Sequence, residues 1–558
     1  MNNADKAYDI IVIGSGMGGL TFASLMAQLA GKRVLILERH FKLGGYTHTF
    51  SRNGYKWDVG IHYVGQMAKD KDCRHLFDLV TRAGVDWQRM PDKFDQFNYP
   101  DFAFKVDADP AKYRADLIKQ FPDDARAIRQ YFKDVVRVET WFRNELAQSM
   151  TPTPVRWAMR KLSAADKAFA MQTTQDYLDK NFRSNQLKAL LTSEWGDCGL
   201  PPAKSPFALT ALIVGHYFGG GYYPVGSGKS ICDAIVPIIK EHDGDCLINH
   251  KVERIIVEKG TVKGVEVIVK QGNTTETKTF LAPIVVSDAG NAITFGELVP
   301  TQYRVPLPEK VSNDICSSVT VYLGLKTDPR ELGFKGENHW IFESYDHNSM
   351  FDNTLATDGG KAGGCFLSFP SLKDPKAEKH TAEIIGFLKY DEFEKWNDSE
   401  WKNRGAEYGA FKDRIMQTLI DTVEAKFPGF SGMVDYKELS TPLTISSFTG
   451  HHKGAIYGHP MTAEEFNKRN YSPKTPIKNL YMTGADVVSL GIMGALMGGV
   501  VTASYLLGTA TGYFTIMGAA KNLARKLELQ SSNKTSASDA EEESSVETRE
   551  PLAAGTRG

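Results

Sequence analysis

Two apolar runs open the chain, Ile10-Ile11-Val12-Ile13 and Val34-Leu35-Ile36-Leu37. Runs this short and rich in β-branched residues suit strands buried on both faces of a parallel sheet. Residues 20–30 (LTFASLMAQLA) lie between them with the length of a helix, so the pattern predicts strand, helix, strand. Residues 54–65 alternate like a further strand, and their glycines permit close packing against a flat ligand. The character changes at about residue 66. Residues 73–85 and 106–147 read as helices, the second charged and amphipathic, broken at Phe121-Pro122 with Asp123-Asp124 as the expected cap. Phe94 to Phe104 is aromatic and strand-like, and residues 150–220 continue as interrupted helices.

Alternation with period two returns from Cys246 to Glu258 and from Gly264 to Val269, predicting a strand and then a hairpin or meander. Residues 279–288 predict another strand, ending in a glycine-containing turn. The sheet begun at residue 10 therefore resumes near residues 225–295, after a long insertion of the kind that sheet edges tolerate. Residues 311–322, 363–370 and 381–390 are strand-like. His339 to Gly360 between them is aromatic and Gly/Asp-rich and is expected to be flexible. Tyr408 to Phe427 is an amphipathic helix. Asn479 to Asp486 is a last strand ending at Gly484, followed by Gly491, Gly494-Ala495 and Gly498-Gly499 at the opening of an apolar helix.

The first strand runs into Gly14-Ser15-Gly16-Met17-Gly18-Gly19, and the second ends in Glu38. Glycines at 14, 16 and 19 give a tight turn, a close backbone approach to a pyrophosphate and helix–strand contact. The acid offers acceptors to a ribose diol. This is a dinucleotide fingerprint in its expected context. Arg39 follows the acid, Gly44-Gly45 could bring N–H groups near the cofactor, and Asp486 is placed for sugar hydroxyls. The Gly226-Ser227-Gly228-Lys229-Ser230 stretch imitates a phosphate loop, but Tyr223 stands where that motif needs glycine, so it is read as a turn opening a helix at Ser230.

At 558 residues the chain is too long for one core, so two or three domains are expected. A net charge of −1 gives no sign of a nucleic-acid binder. Six scattered cysteines without metal spacing read as reduced thiols in a cytosolic-facing protein, with no metal site. The N-terminus reaches a strand by residue 10 and does not read as a signal peptide. Val487 to Ala520 carries no charge, a length that would satisfy a membrane span; its glycines favour two buried or interfacial helices. Phe514 to Leu529, with Lys521, Arg525 and Lys526, has the pattern of a membrane-surface helix. The Ser/Glu-rich segment after Gln530 is expected to be disordered.

These motifs resemble those of the phytoene desaturase, carotenoid isomerase and retinol saturase superfamily of FAD-dependent enzymes. The likeness rests on Gly14 to Gly19, Gly44-Gly45 with His48-Thr49-Phe50, Trp57 to Tyr63, Tyr222-Tyr223-Pro224 with Gly226, and Pro473 through Gly499. It extends along most of the chain. Tyr46 departs from the desaturases, which commonly carry arginine there, and favours the retinol saturase branch. The resemblance implies an α/β fold with a Rossmann-like FAD-binding domain assembled from residues 1–65, 225–300 and 475–528. An inserted α+β substrate-binding and membrane-facing domain would comprise 66–224 and 301–474, and 531–558 would be a disordered acidic tail. It implies FAD over Gly14, Ser15, Gly16, Gly18 and Gly19, with Glu38 on the adenosine ribose and Val252 near the adenine. Gly484, Asp486, Gly494 and Ala495 would lie at the ribityl and isoalloxazine end.

The activity implied is saturation of a conjugated double bond in a long apolar polyene or lipid. The alternatives are cis-trans isomerisation or desaturation with the same FAD, and lipid binding without turnover. No second dinucleotide fingerprint is present, so an external electron donor or acceptor is expected, at a cytoplasmic site peripheral to a membrane. Hydride chemistry also needs a proton. His62, Tyr63, His216, Tyr217, His451 and His452 sit at Gly-rich turns near the implied site and are the candidates; His62, Tyr63, His216 and His451 are the catalytic residues of this reading.

Overall fold

The computed structural model describes residues 7–547 except 152, 273 and 353–361. Strands Ile10–Ile13 and Val34–Leu37 flank the first helix, Met17–Ala30, as their apolar pattern requires. They lie inside a five-stranded sheet whose other members are Asp245–Leu247, Ile284–Ser287 and Leu480–Met482. Every pairing in it is parallel. Its strands come from three distant parts of the chain, and its C-terminal edge gathers Gly14, Glu38, Asp288 and Thr483.

A second, seven-stranded sheet joins Lys93–Asn98 and Ala103–Asp107 to strands from residues 317–440. Alternation sorts its two faces. Val319, Val321 and Leu323 of Ser317–Leu325 pack with Ile384, Leu367 and Leu419 against helix Gly405–Lys426. Ser318, Thr320 and Tyr322 face the other way, with Phe366, Ile385 and Phe387, into a cavity. Thr320, Ile385, Phe366 and Trp340 form one row across neighbouring strands. A three-stranded antiparallel sheet, 250–281, stands beside the parallel one.

Several boundaries differ from the sequence reading. Asn338–Phe342, placed partly in the expected flexible stretch, is an interior strand, parallel to Lys93–Asn98 and antiparallel to Gly364–Ser368. It is five residues long and buried on both faces, so no alternation marks it; residues 353–360 of that stretch lie outside the described residues. The helix expected from 106 starts at Pro110, capped by the Asp109 carboxylate, after a strand ending at Asp107. Asp124 does not cap the next helix, because its carboxylate accepts the Arg183 and Ser184 N–H groups at 3.1 and 3.3 Å. Of 54–65 only Tyr55–Asp58 is a strand; the rest winds along the cavity. The predicted strand 246–258 breaks at Asn249 (φ +56°) and serves two sheets. Residues 309–313 form a helical turn before the strand that begins at Ser317.

The uncharged segment divides into helix Gly491–Leu506 and a helix from Ala510 that runs on through Glu547, past Gln530 where disorder was expected. The Ala, Lys and Glu in this stretch are good helix formers. Residues 548–558 lie outside the described residues. Among the described residues no helix is long and apolar enough to cross a membrane, and no His, Cys, Asp or Glu cluster could hold a metal.

Candidate functional site

The first strand turns into its helix through Gly14, whose φ of +94° glycine adopts without strain. A Cβ on Gly16 would lie 2.5 Å from an Asp288 carboxyl oxygen, and one on Gly45 3.0 Å from the Gly16 Cα. Neither position tolerates a side chain without movement. Glu38 is nearly buried and pinned by three donors. Its Oε2 accepts the Ser15 N–H (2.9 Å) and hydroxyl (2.6 Å), and its Oε1 accepts the His40 N–H (2.8 Å). The Ser15 hydroxyl in turn accepts the Gly44 N–H at 3.0 Å. Glu38, Arg39, Gly14, Ser15, Gly16, Gly18 and Gly45 all line one cavity of about 380 Å³, within the range of roughly 300–1,000 Å³ usual for ligand sites.

Val252 lines the same cavity, as do Asp486 and Ala495. Asp486 Oδ2 accepts the Asn291 N–H at 2.6 Å. Gly19, Gly44, Gly484 and Gly494 stand behind the lining and serve contact between segments: a Cβ on Gly19 would lie 2.7 Å from the Gly14 carbonyl oxygen, and one on Gly494 would overlap the Ser489 carbonyl. The Thr483 hydroxyl is buried in the wall without a protein partner. A glycine cradle at a helix N-terminus, a fixed carboxylate and an unpaired hydroxyl fit a dinucleotide.

Sequence reasoning missed Asp288. It ends the strand beside the fingerprint, in Ser287-Asp288-Ala289-Gly290, and that polar strand end was the signal available. Burial pushes its carboxyl up to about 7, against hydrogen bonds from the Gly19 and Gly16 N–H groups, with Glu38 and Asp486 adding to the rise. Near neutral pH it therefore sits at the helix N-terminus partly uncharged.

The other half of the cavity is aromatic, walled by Trp340, Phe366, Ile385, Phe387 and Tyr457. His62 and Tyr63 enter it from the turn after Asp58. The His62 Nδ1 lies 2.8 Å from Glu383 Oε2, a side chain with no exposure. Tyr63 stacks on Tyr217 with centroids 4.3 Å apart, and its hydroxyl reaches Asp95 (3.0 Å) and Asp197 (3.2 Å). His451 also lines the cavity. Its Nδ1 lies 2.8 Å from the Ala455 carbonyl, so that nitrogen carries the proton, and burial lowers its pKa. His216 does not line the cavity. Its Nε2 accepts the Gly65 N–H at 2.8 Å and burial pushes it down to about 4, which makes it a neutral structural acceptor. Tyr217 stands behind Tyr63, and His452 bonds Ser312 at an exposed position.

A buried polar chain extends from this end. Asp95 accepts the Asn338 side-chain N–H (2.9 Å), and Asn338 accepts from Lys373, which also donates to Ser368 Oγ (2.7 Å) and the His62 carbonyl (2.8 Å). Burial pushes Lys373 down to about 7 despite the carboxylates around it. Asp58 is similarly raised to about 7 by burial and bonds Tyr223 and the Gly228 N–H. Asp58 with His62, Tyr223 with Gly228 and Ser368 with Lys373 are near in sequence, but Asp95 and Asn338 join them only through the fold.

Comparison with known proteins agrees with this architecture. Residues 12–80 match the NAD(P)-binding Rossmann-like domain. The chain is 30% identical over 533 residues to all-trans-retinol 13,14-reductase of Rattus norvegicus, covering 91% of this chain and 87% of that one. It belongs to the retinol saturase and carotenoid isomerase superfamily. An inactive all-trans-retinol 13,14-reductase of Danio rerio is likewise 30% identical, over 91% of this chain and 87% of that one. Prolycopene isomerase of Arabidopsis thaliana is 23% identical over 90% and 83%. A solved putrescine oxidase shares the fold, with a TM-score of 0.58 at 13% identity over 90% of this chain and 99% of that one. Superfamily membership therefore gives an oxidoreductase scaffold; reductases, an inactive relative and isomerases all carry it.

Replacing Glu38 by Gln keeps its size and removes its charge. A hydrogen bond to a charged group contributes about 1.5–3 kcal/mol, so E38Q is expected to bind FAD roughly tenfold to a hundredfold more weakly when cofactor-stripped protein is titrated by flavin fluorescence quenching. Unchanged affinity would remove Glu38 from the cofactor contacts.

Proposed function

We propose that the protein is an FAD-dependent oxidoreductase that saturates a conjugated double bond of a retinoid- or carotenoid-like polyene. The observation that carries this reading is the continuity of the cavity, from the Gly14–Gly18 cradle and Glu38 to the aromatic wall on the large sheet. A polyene is long, flat and apolar, and Trp340, Phe366 and Phe387 offer it flat apolar faces. Residues 1–65, 225–300 and 475–528 form the FAD-binding domain in this reading, and 66–224 with 301–474 form the substrate domain. Gly14 to Gly18 at the first helix N-terminus would hold the pyrophosphate, Glu38 and Arg39 the adenosine ribose, Val252 the adenine, and Asp486 with Ala495 the ribityl end. Bound FAD supplies hydride transfer at its N5; the protein contributes position, electrostatics and exclusion of water. Electrons come from an external donor.

The inactive relative keeps the binding-only alternative specific, and the prolycopene isomerases keep isomerisation so. Anaerobic photoreduction of the flavin, followed by mixing with retinol, carotenoids and polyunsaturated fatty acids, separates them. The expected result is flavin reoxidation with a product two mass units heavier. An isomer of unchanged mass would replace saturation by isomerisation, and no chemical change with tight lipid binding would favour the carrier.

An apolar substrate of this class is delivered from a membrane, and the surface supports peripheral contact. Helix Thr153–Leu162 exposes Val155, Trp157 and Leu162 (86% for Leu162) beside Arg160 and Lys161. Phe514 is also exposed. Apolar side chains flanked by cations suit an anionic bilayer surface. The protein is expected to float with phosphatidylserine-containing vesicles, and the Trp157→Ala, Leu162→Ala double variant to stay behind; flotation unaffected by the pair would place the contact elsewhere.

A further inference from the structure

Resting on the reduction reading, we propose that Asp197 is the acid that protonates the substrate carbon opposite the hydride, and that Tyr63 refills it from Asp95 and Glu194. Asp197 ends the turn Ser193–Asp197 and, among the described residues, is the carboxyl group lining the aromatic half of the cavity; the other lining carboxylates, Glu38, Asp288, Glu297 and Asp486, belong to the glycine-rich half.

Proton counting supports the assignment. The Tyr63 hydroxyl lies within 3.0 Å of Asp95 Oδ2 and 3.2 Å of Asp197 Oδ2 but has one hydrogen. It can donate to one of them only, so the other must donate to it, and that carboxyl is protonated. Glu194 lies near the same pair, and burial with repulsion from Asp95 and Asp197 pushes its carboxyl well up, toward the protonated form. Tyr217 adds its hydroxyl to Asp197 at 3.4 Å.

The charges facing the cluster offset it only in part: His62 opposes the rise at Asp197 and Lys373 that at Asp95, and burial outweighs both. Lys373 reaches Asp95 only through Asn338 and spends its donors on Asn338, Ser368 and the His62 carbonyl. His62 is taken by Glu383, Asp58 by Tyr223 and Gly228, and Tyr457 contributes a neutral phenol. Burial pushes Asp197 up to about 6. Burial and mutual repulsion raise Asp95 and Glu194 too, so the pair behind forms a proton store.

In the step, a hydride supplied by reduced flavin would bring two electrons and form a C–H bond at one carbon of the double bond. The other carbon takes a proton from the Asp197 carboxyl as the π bond breaks, leaving a carboxylate. Tyr63 then passes its proton to Asp197 and accepts one from Asp95. The substrate gains two hydrogens and nothing leaves.

The test uses purified holoenzyme carrying Asp197→Asn or Tyr63→Phe. General acid catalysis contributes about 10²–10⁴-fold, so D197N should form hydrogenated product at least about a hundredfold more slowly, with FAD content and polyene binding unchanged. The acid acts protonated, so the wild-type rate should fall as pH rises through about 6, and this fall should be absent in D197N. Y63F should complete a first turnover and slow in later ones. In cofactor-free protein, a carboxyl band titrating near that pH by infrared difference spectroscopy should disappear in D197N. Hydrogenated product formed by D197N at the wild-type rate, or with the same pH profile, overturns this assignment alone. Wild-type protein that hydrogenates no polyene overturns the reduction reading and the assignment together.

Discussion

Everything in this molecule depends on how closely backbone meets backbone at the C-terminal edge of the parallel sheet. Gly16, Gly18, Gly45, Gly484 and Gly498 lie where an added Cβ would press on a neighbouring segment or on Asp288. Three stretches separated by hundreds of residues therefore converge on the N-terminus of one buried helix. Partial positive charge there favours an anion, and Ser15 and His40 hold the Glu38 carboxylate in place beside it. The same convergence brings Asp288 to the helix end, where burial keeps it from being a full competing charge near neutral pH.

The large sheet supplies the complementary constraint. Its alternating strands bury Val319, Val321 and Leu323 against a helix and turn Thr320, Phe366, Ile385 and Trp340 toward the cavity. One sheet thus provides both a core and a cavity wall. Beyond that wall, Asp95 and Asn338 meet as register partners on parallel strands. Their placement follows from strand pairing, and it puts acidic groups behind Tyr63 in a region otherwise built of aromatic rings. Buried carboxyl groups of this kind are costly unless neutralised or hydrogen-bonded, and the chain retains several next to a cavity.

The glycine-rich end of the parallel sheet was legible because its signals are local. Gly14 to Gly19 and Glu38 lie within 25 residues, and each glycine answers a steric demand that its spacing in the motif already implies. Asp288 escaped notice because a single acid at a strand end carries no spacing. The aromatic end of the cavity was largely illegible. Asp95, the Ser193–Asp197 turn that carries Glu194 and Asp197, and Lys373 come from three segments and become a group only through the packing of the fold. Asn338–Phe342 hid for a related reason: buried on both faces, a five-residue strand shows no alternation. His216 illustrates the converse, since a histidine at a glycine turn proved to be an acceptor for the backbone N–H of Gly65 in a distant segment.

The central claim is that cofactor and polyene share one cavity and exchange hydride directly. Reconstituting the protein with 5-deaza-FAD, reduced with deuterium at C5, tests it, because that carbon transfers its hydrogen without exchange with water. Mixed with a polyene that the native holoenzyme reduces, it should give a product carrying one deuterium on a carbon of the saturated bond. A saturated product free of deuterium, or a deuterated cofactor that persists beside bound polyene, would contradict the account.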